Sequence, residues 1–225
     1  MLPRIVVNLK LYRESSGPRA LEVARAAEGV WRETGVLIGV APSLLDLWRV
    51  AEAVEIPVYS QHVDPVEPGA RTGHVSPRLL REYGVSGSLV NHSERRVRLD
   101  QAAEAVAMLR EEGLQSILCA GDPTQSAAAA VLRPTAVAFE PPELIGTGIP
   151  VSRARPEAVR ETVELVRRTA PGVLALCGAG ITSGEDVRRA LELGADGVLL
   201  ASAVAKAPRP YEKLVELAGA VEIEG

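Results

Sequence analysis

Aromatic side chains make up only 3% of this 225-residue chain: one Phe, two Trp and four Tyr. A domain of this size buries roughly 70–75% of its unfolded surface, so its core must be built from Val, Leu, Ile and Ala. Lysine is scarcer still. It stands only at positions 10, 206 and 213, and 22 of the 25 basic residues are Arg. That bias has no direct functional meaning, but it makes each lysine worth locating. The two cysteines, Cys119 and Cys177, form neither a CxxC pair nor a zinc-type spacing. They read as reduced thiols packed as small apolar groups. Positive charge is not in excess: the formal net charge is −4, which argues against a general nucleic-acid binder. No stretch approaches the ~20 apolar residues that cross a bilayer. The apolar run at the start, Met1 to Lys10, is too short for a signal peptide. The expectation is a soluble, cytoplasmic protein.

What is present is a globular balance, 47% hydrophobic and 24% charged, which rules out a disordered chain. Short β-branched runs alternate with amphipathic stretches rich in Ala, Leu, Glu and Arg. Strands are expected at Arg4–Leu9, Val36–Ala41, Pro57–Ser60, Ser88–Asn91, Ser116–Ala120, Ala136–Phe139, Val173–Cys177 and Gly197–Ala201. Most are apolar on both faces, as strands of a covered parallel sheet are. Helices are expected at Pro18–Thr34, Ser43–Val54, Pro77–Tyr83, Asp100–Glu112, Pro123–Leu132, Arg155–Thr169, Ser183–Leu193 and Tyr211–Leu217. Ser43, Asp100, Asp122 and Ser183 are candidate N-caps, and Gly35, Gly84, Gly113 and Gly194 candidate helix stops. Eight strand–helix units fit one α/β domain over residues 1–225, a (β/α)8 barrel. The alternative is an open doubly wound sheet. A dinucleotide-binding version would carry GxGxxG after strand 1, where this chain has Asn8-Leu9-Lys10, and no GxxxxGK[ST] occurs. The connection from Gln61 to Ser76 is too long for a simple link and suggests a function.

A barrel of this kind works at the C-terminal ends of its strands. Asn8 and Lys10 end strand 1 on one side. Strand 4 runs into His92-Ser93-Glu94-Arg95-Arg96, strand 6 into Glu140 followed by Pro141-Pro142 and Gly146-Thr147-Gly148, strand 7 into Gly178-Ala179-Gly180, and strand 8 into Ala201-Ser202. Each piece alone has a plain structural explanation: a packed His, a turn-capping Glu, a tight bend, a charged helix start. Together they bring a Lys, a His and a carboxylate to one mouth, beside small residues whose bare N–H groups suit a phosphate.

At these residues the sequence resembles the triosephosphate isomerase family, from Asn8 to about Val204. The resemblance rests on Asn8-Leu9-Lys10, the loop Gly69–Ser76, His92-Ser93-Glu94-Arg95-Arg96, and Glu140-Pro141 through Ile145-Gly146-Thr147-Gly148. Three features depart from the usual pattern: Pro142-Glu143-Leu144 in the lid, Cys177-Gly178-Ala179-Gly180 after strand 7, and Ala201-Ser202 after strand 8. With the short chain, they look like the compact archaeal-type branch. The resemblance implies a single-domain TIM barrel that interconverts dihydroxyacetone phosphate and glyceraldehyde 3-phosphate, in glycolysis and gluconeogenesis, without metal or cofactor.

It also implies roles. Glu140 is the base, desolvated under a lid whose apolar residues are Leu144 and Ile145. His92 polarises the carbonyl, as a neutral imidazole in the family. A helical turn opening at His92 would disfavour the imidazolium form. Lys10 stabilises the enediolate, Asn8 donates a hydrogen bond and orients its neighbours, and Glu94 pairs with Lys10, either as a structural ion pair or as a proton handler. Leu9 belongs to the same substrate-binding segment. Backbone N–H groups around Ile145, Gly146, Gly180, Ala201 and Ser202 hold the phosphate. The loop Gln61–Ser76 enters a neighbouring subunit, with Thr72 near the other site, so a homodimer at least is expected and the archaeal-type branch suggests a homotetramer. A mobile surface loop is the alternative. Two competing readings stay open from the residues alone. One is another phosphate-binding barrel, such as a sugar-phosphate epimerase or a tryptophan-pathway enzyme. The other is a non-enzymatic barrel that kept its phosphate site.

Overall fold

A computed structural model describes residues 1–221. The last four residues of the expected domain, 222–225, lie outside the described residues. Eight parallel strands form one sheet: β1 (Ile5–Asn8), β2 (Ile38–Ala41), β3 (Tyr59–Ser60), β4 (Gly87–Val90), β5 (Gln115–Ala120), β6 (Ala136–Phe139), β7 (Leu174–Cys177) and β8 (Gly197–Leu200). Their order is β2-β1-β8-β7-β6-β5-β4-β3. In register, Ile5 lies opposite both Ile38 and Val198. A single parallel bridge, Val40 to Val58, joins the two ends of the sheet, with the Val40 N–H donating to Pro57 O at 3.0 Å. The barrel is therefore nearly closed, and its weakest seam is between β2 and β3.

The strands alternate between two apolar layers. Val6, Ala41, Leu89, Ile117, Cys119, Ala136, Ala138, Leu176 and Leu199 point into the barrel around one aromatic ring, Tyr59. Ile5, Val7, Leu118, Val137, Phe139, Val198 and Leu200 point outward to meet the helices. This is the period-2 pattern of a strand, with both faces covered, and it accounts for the doubly apolar runs in the sequence. Burial pushes the Tyr59 hydroxyl well above its ordinary value, and that hydroxyl donates to Gln115 Oε1.

The outer layer is α1 (Pro18–Thr34), α2 (Leu47–Ala53), α3 (Pro77–Glu82), α4 (Leu99–Glu111), α5 (Pro123–Val131), α6 (Val151–Ala154), α7 (Pro156–Thr169), α8 (Gly184–Glu192), α9 (Ser202–Ala205) and α10 (Pro210–Ala218). Proline opens α1, α3, α5, α7 and α10, where its missing N–H costs nothing and its fixed φ suits the helix. Gly35 ends α1 in the left-handed region, its N–H donating to Trp31 O at 2.8 Å.

Two of the four expected caps are present. Asp122 accepts the Gln125 N–H at 2.7 Å, and Ser183 caps α8. Ser43 and Asp100 are not caps. Ser43 Oγ donates to Asp46, whose carboxylate also accepts the Gly17 N–H, so the chain is pinned to the start of α1 and α2 begins only at Leu47. Asp100 lies inside α4 and pairs back to the Arg98 guanidinium at 2.6 Å. The four-residue helices α6 and α9, and the 3-10 turns Arg13–Ser15 and Pro142–Leu144, had no counterpart in the expected pattern. The long connection after β3 is present. Its base is pinched by paired bonds between Asp64 and Val75 at 2.8 Å, and residues 67–74 project as an exposed tip.

Candidate active site

The C-terminal ends of the strands enclose a cavity lined by Asn8, Lys10, Tyr12, His92, Glu140 and the loops after β6, β7 and β8. Lys10 sits one residue past Leu9 in the left-handed region, at φ 50°, a conformation that costs energy for a side-chain-bearing residue. Asn8 sustains it: its Oδ1 accepts the Lys10 N–H at 3.0 Å. The Gln61 amide holds the same corner, donating to Asn8 Oδ1, Lys10 O and Ala41 O at 3.0–3.3 Å. Asn8 thereby uses its oxygen inward and keeps its NH2 group as the donor for a ligand. The Lys10 ammonium reaches Glu94 Oε1 at 2.9 Å. The lysine side chain is 11% exposed and that of Glu94 56%, so Glu94 neutralises Lys10 from outside the chamber.

His92 follows β4 by way of Asn91, which is also left-handed, at φ 59°. The Asn91 side chain accepts the Val97 N–H at 3.1 Å and donates to Cys119 O at 3.1 Å, and Arg96 Nη1 donates to Asn91 O at 3.0 Å. These bonds hold residues 92–95 as one isolated turn, closed by the Arg95 N–H on His92 O at 2.8 Å. The expected helical turn at His92 is therefore absent; the next helix starts at Leu99. Its electrostatic role passes to one directed bond. The Glu94 N–H donates to His92 Nδ1 at 3.2 Å, which requires a lone pair there and places the ring proton on Nε2.

Nε2 faces Glu140. The two groups are 3.5 Å apart at Oε1, and each side chain is only 6% exposed. Glu140 is fixed at its backbone, its N–H donating to Ala120 O at 2.8 Å. Its other oxygen, Oε2, is buried without a hydrogen-bond partner among the described residues. That oxygen is free to meet a ligand in the cavity. Gly178 makes room for the carboxylate: a Cβ there would lie 2.4 Å from Glu140 Cγ. Cys119 lies beside the same carboxylate. Burial pushes its thiol well up, and the Glu140 charge adds to that shift. Cys119 is thus apolar packing, as its sequence setting suggested, but packing that touches the Glu140 carboxylate.

The lid follows directly. Leu144 packs into the outer core, Glu143 pairs with Arg155 at 2.7 Å, and residues 146–149 are exposed. Its far stem crosses Gly180, where a Cβ would meet Ile149 O at 1.9 Å, and the Val151 N–H donates to Ala179 O at 3.1 Å. Arg153 Nε then reaches the buried Asp186 at 2.9 Å. Burial works to raise the Asp186 carboxyl. Bonds from Thr182 and Ser183 and the Arg153 charge outweigh it, holding the group below the usual carboxylate range. Among the described residues, nothing accepts the N–H of Gly146 or Gly180.

The cavity thus brings together Asn8, Lys10, His92, Glu140, Ile145, Gly146, Gly180, Ala201 and Ser202. Leu9 does not line it. As the strand emerges, Leu9 turns outward and is fully buried in the outer core. Glu94 stands behind Lys10 rather than in the cavity wall. Gln61, Asn91 and Tyr12 were not among the expected site residues; an amide at the end of a strand was the available signal for the first two, and Asn91 also adjoins His92. Among the described residues, no group of three His, Cys, Asp or Glu side chains is placed to share a metal ion, and no helix is long and apolar enough to cross a membrane.

The family model described as triosephosphate isomerase matches residues 3–218. The chain belongs to the triosephosphate isomerase family. Its similarity to archaeal members of that isomerase family extends over nearly its whole length. It is 54% identical to the triosephosphate isomerase of Pyrobaculum arsenaticum over 216 residues, 96% of each chain. It is 50% identical to that of Methanosarcina barkeri, over 96% of this chain and 97% of the other. With that of Methanocaldococcus jannaschii it shares 49% identity, over 95% and 97% of the two chains.

Proposed function

We propose that this protein interconverts dihydroxyacetone phosphate and D-glyceraldehyde 3-phosphate, a step of glycolysis and gluconeogenesis in the cytoplasm. The observation that carries the reading is the 3.5 Å approach of His92 Nε2 to the buried Glu140 carboxylate, whose other oxygen has no hydrogen-bond partner among the described residues, in the cavity that also holds Lys10. Glu140 takes a proton from the hydroxymethyl carbon of the ketose. The electron pair of that C–H bond forms the carbon–carbon double bond of an enediolate, and the carbonyl pair moves to oxygen. The Nε2–H of His92 stabilises that oxygen and passes protons between the two enediol oxygens. Glu140 returns its proton to the neighbouring carbon, giving the aldose. Lys10 and the Asn8 amide stabilise the developing negative charge. Glu94 keeps the Lys10 ammonium aimed by their ion pair, which favours its structural role over proton handling.

The phosphate rests against the backbone of Gly146, Gly180, Ala201 and Ser202, with Ile145 covering it as the lid closes. No metal and no organic cofactor takes part. Closure strips water from Glu140 and prevents the enediolate from expelling its phosphate.

The working form is a homo-oligomer built through the loop from Gln61 to Ser76. The loop tip projects from its pinched base. Beside the active site, a second cavity is lined by Leu11, Leu44, Leu45, Gln61, His62 and Arg95, with Leu45 97% exposed. An identical tip on a second copy would cover that apolar surface, with Thr72 carried toward the site. The resemblance to the archaeal-type branch implies a homotetramer.

Purified protein treated with a chelator should isomerise dihydroxyacetone phosphate at full rate. Activity that disappears with the chelator and returns with a divalent metal would overturn the mechanism. Replacing Gly69–Gly73 by a short linker should give monomers of low activity. An unchanged oligomer would show that the loop is not the interface.

A further inference from the structure

Of the three lysines, two are neutralised. Lys10 pairs with Glu94 at 2.9 Å and Lys213 with Glu216 at 2.6 Å. Lys206 has no carboxylate within ion-pair distance among the described residues. Its ammonium lies over the ring of Tyr12 instead, 4.3 Å from the centroid. An aromatic face holds a cation through its quadrupole without cancelling the charge, so the Lys206 ammonium is seated by Tyr12 and not neutralised by it.

That place adjoins the cavity on two sides. Tyr12 is part of the cavity wall, two residues after Lys10. Lys206 ends the short helix α9 that begins at Ser202, also in the wall, and its N–H donates to Ser202 O at 3.1 Å. The contact therefore joins the loop after β1 to the loop after β8 at the mouth. Tyr12 is itself fixed: its carbonyl accepts from the Ser15 N–H at 3.1 Å and from Ser16 Oγ at 2.7 Å.

The charge balance inside gives this cation a task. In the cavity wall itself, Lys10 is matched by Glu94 and the Glu140 carboxylate adds negative charge, and the whole chain carries −4. A dianionic phosphate ester approaching such a site is repelled unless a local positive charge outweighs the background. We infer that Lys206, seated on Tyr12, is a substrate-capture residue: a fixed, uncancelled cation that draws the phosphate of the substrate into the mouth. This rests on the triose phosphate reading above. It assigns Lys206 to capture of the substrate and not to the proton transfers.

The test is the ionic-strength dependence of kcat/KM for dihydroxyacetone phosphate in wild type, Lys206→Gln and Lys206→Arg. At low salt, Lys206→Gln should lower kcat/KM about three- to tenfold through KM, with kcat within about twofold, and the deficit should close as salt screens the charge. Lys206→Arg should restore both the value and its salt slope. Tyr12→Leu, which removes the ring, should reproduce part of the salt-dependent loss. Inorganic phosphate, titrated by calorimetry, should bind Lys206→Gln several-fold more weakly than wild type, a readout that needs no turnover. An unchanged salt slope and unchanged phosphate affinity in Lys206→Gln would overturn the role, as would a loss that falls on kcat and ignores salt. Wild-type protein that binds phosphate through Lys206 yet isomerises no triose phosphate would overturn the substrate reading while leaving the phosphate capture standing.

Discussion

The two sides of the active-site mouth are built differently. On the side of β1 to β4, the functional side chains are tied down. Asn8 and Gln61 fix Lys10, Asn91 fixes the turn that carries His92, and a backbone N–H sets the His92 tautomer. Two residues on this side, Lys10 and Asn91, are held at positive φ by these bonds. On the side of β6 to β8 the functional groups are left open. Among the described residues, Glu140 Oε2 has no partner and nothing accepts the N–H groups of Gly146 and Gly180, and the lid tip is exposed. Even the glycines differ in purpose: Gly178 and Gly180 are there so that Glu140 and the lid stem can pass close by. The difference teaches a division of labour. On the proposed mechanism, one side serves as a preorganised field for the developing charge, which works best when it does not move. On the same proposal the other side admits substrate, loses water and closes, so its polar groups wait for the ligand.

Breaking the open side should cost most. Glu140→Asp pulls the carboxylate back by about one methylene from the substrate carbon. It should lower kcat roughly 100-fold, with KM little changed, in steady-state assays. Turnover near the wild-type level would remove Glu140 as the base. On the fixed side, Asn91→Ala removes two bonds from the His92 turn and the side chain that favours its left-handed backbone. It should lower kcat roughly tenfold while phosphate still binds, because the charge field tilts but the cradle stays. A variant that instead loses phosphate affinity with kcat intact would dissolve the distinction between the two sides.

The smallest effect concerns the anchor of the lid. The Asp186 carboxyl is held below its ordinary value of 3.8. A group depressed in the folded state contributes stability that is fully present above the unfolded value and is lost as pH falls through the folded one. Wild type should therefore lose stability below about pH 4 more steeply than Asp186→Asn. At neutral pH, Asp186→Asn should be less stable by about 1–3 kcal/mol, the usual cost of disrupting bonds to a buried polar group. Denaturant titrations at several pH values check both. Parallel pH profiles would show that Asp186 gives the lid stem no charge-dependent hold.

Much of this division was legible in the residues. Short β-branched runs, prolines at helix starts and glycines at helix ends are local signals, and α1 matches its expected span to the residue. Lys10, His92 and Glu140 were legible because each stands at the end of an apolar run. What stayed hidden depends on contacts across the sequence. Gln61 acts on residues 20 and more positions away. Asp46 replaces Ser43 at the start of α2 because it is bound to Gly17. Leu9 faces away from the cavity, which alternation along β1 could have indicated, since Asn8 and Lys10 face toward it. The short α6 and α9 are one turn each and carry no periodicity to read. The pairing of Lys206 with Tyr12 joins two ends of the chain, and only the scarcity of lysine pointed toward it.

The central claim is that Glu140 moves a carbon-bound proton while His92 handles oxygen. It is tested most directly by running the reaction in D2O and following deuterium at the substrate carbons by NMR, for wild type and Glu140→Gln. Wild type should place deuterium at the carbon that receives the proton, because a carboxylate exchanges its proton with solvent before returning it, and Glu140→Gln should lower both label uptake and turnover by about 1,000-fold or more. Isomerisation and label uptake that persist in Glu140→Gln would contradict the account.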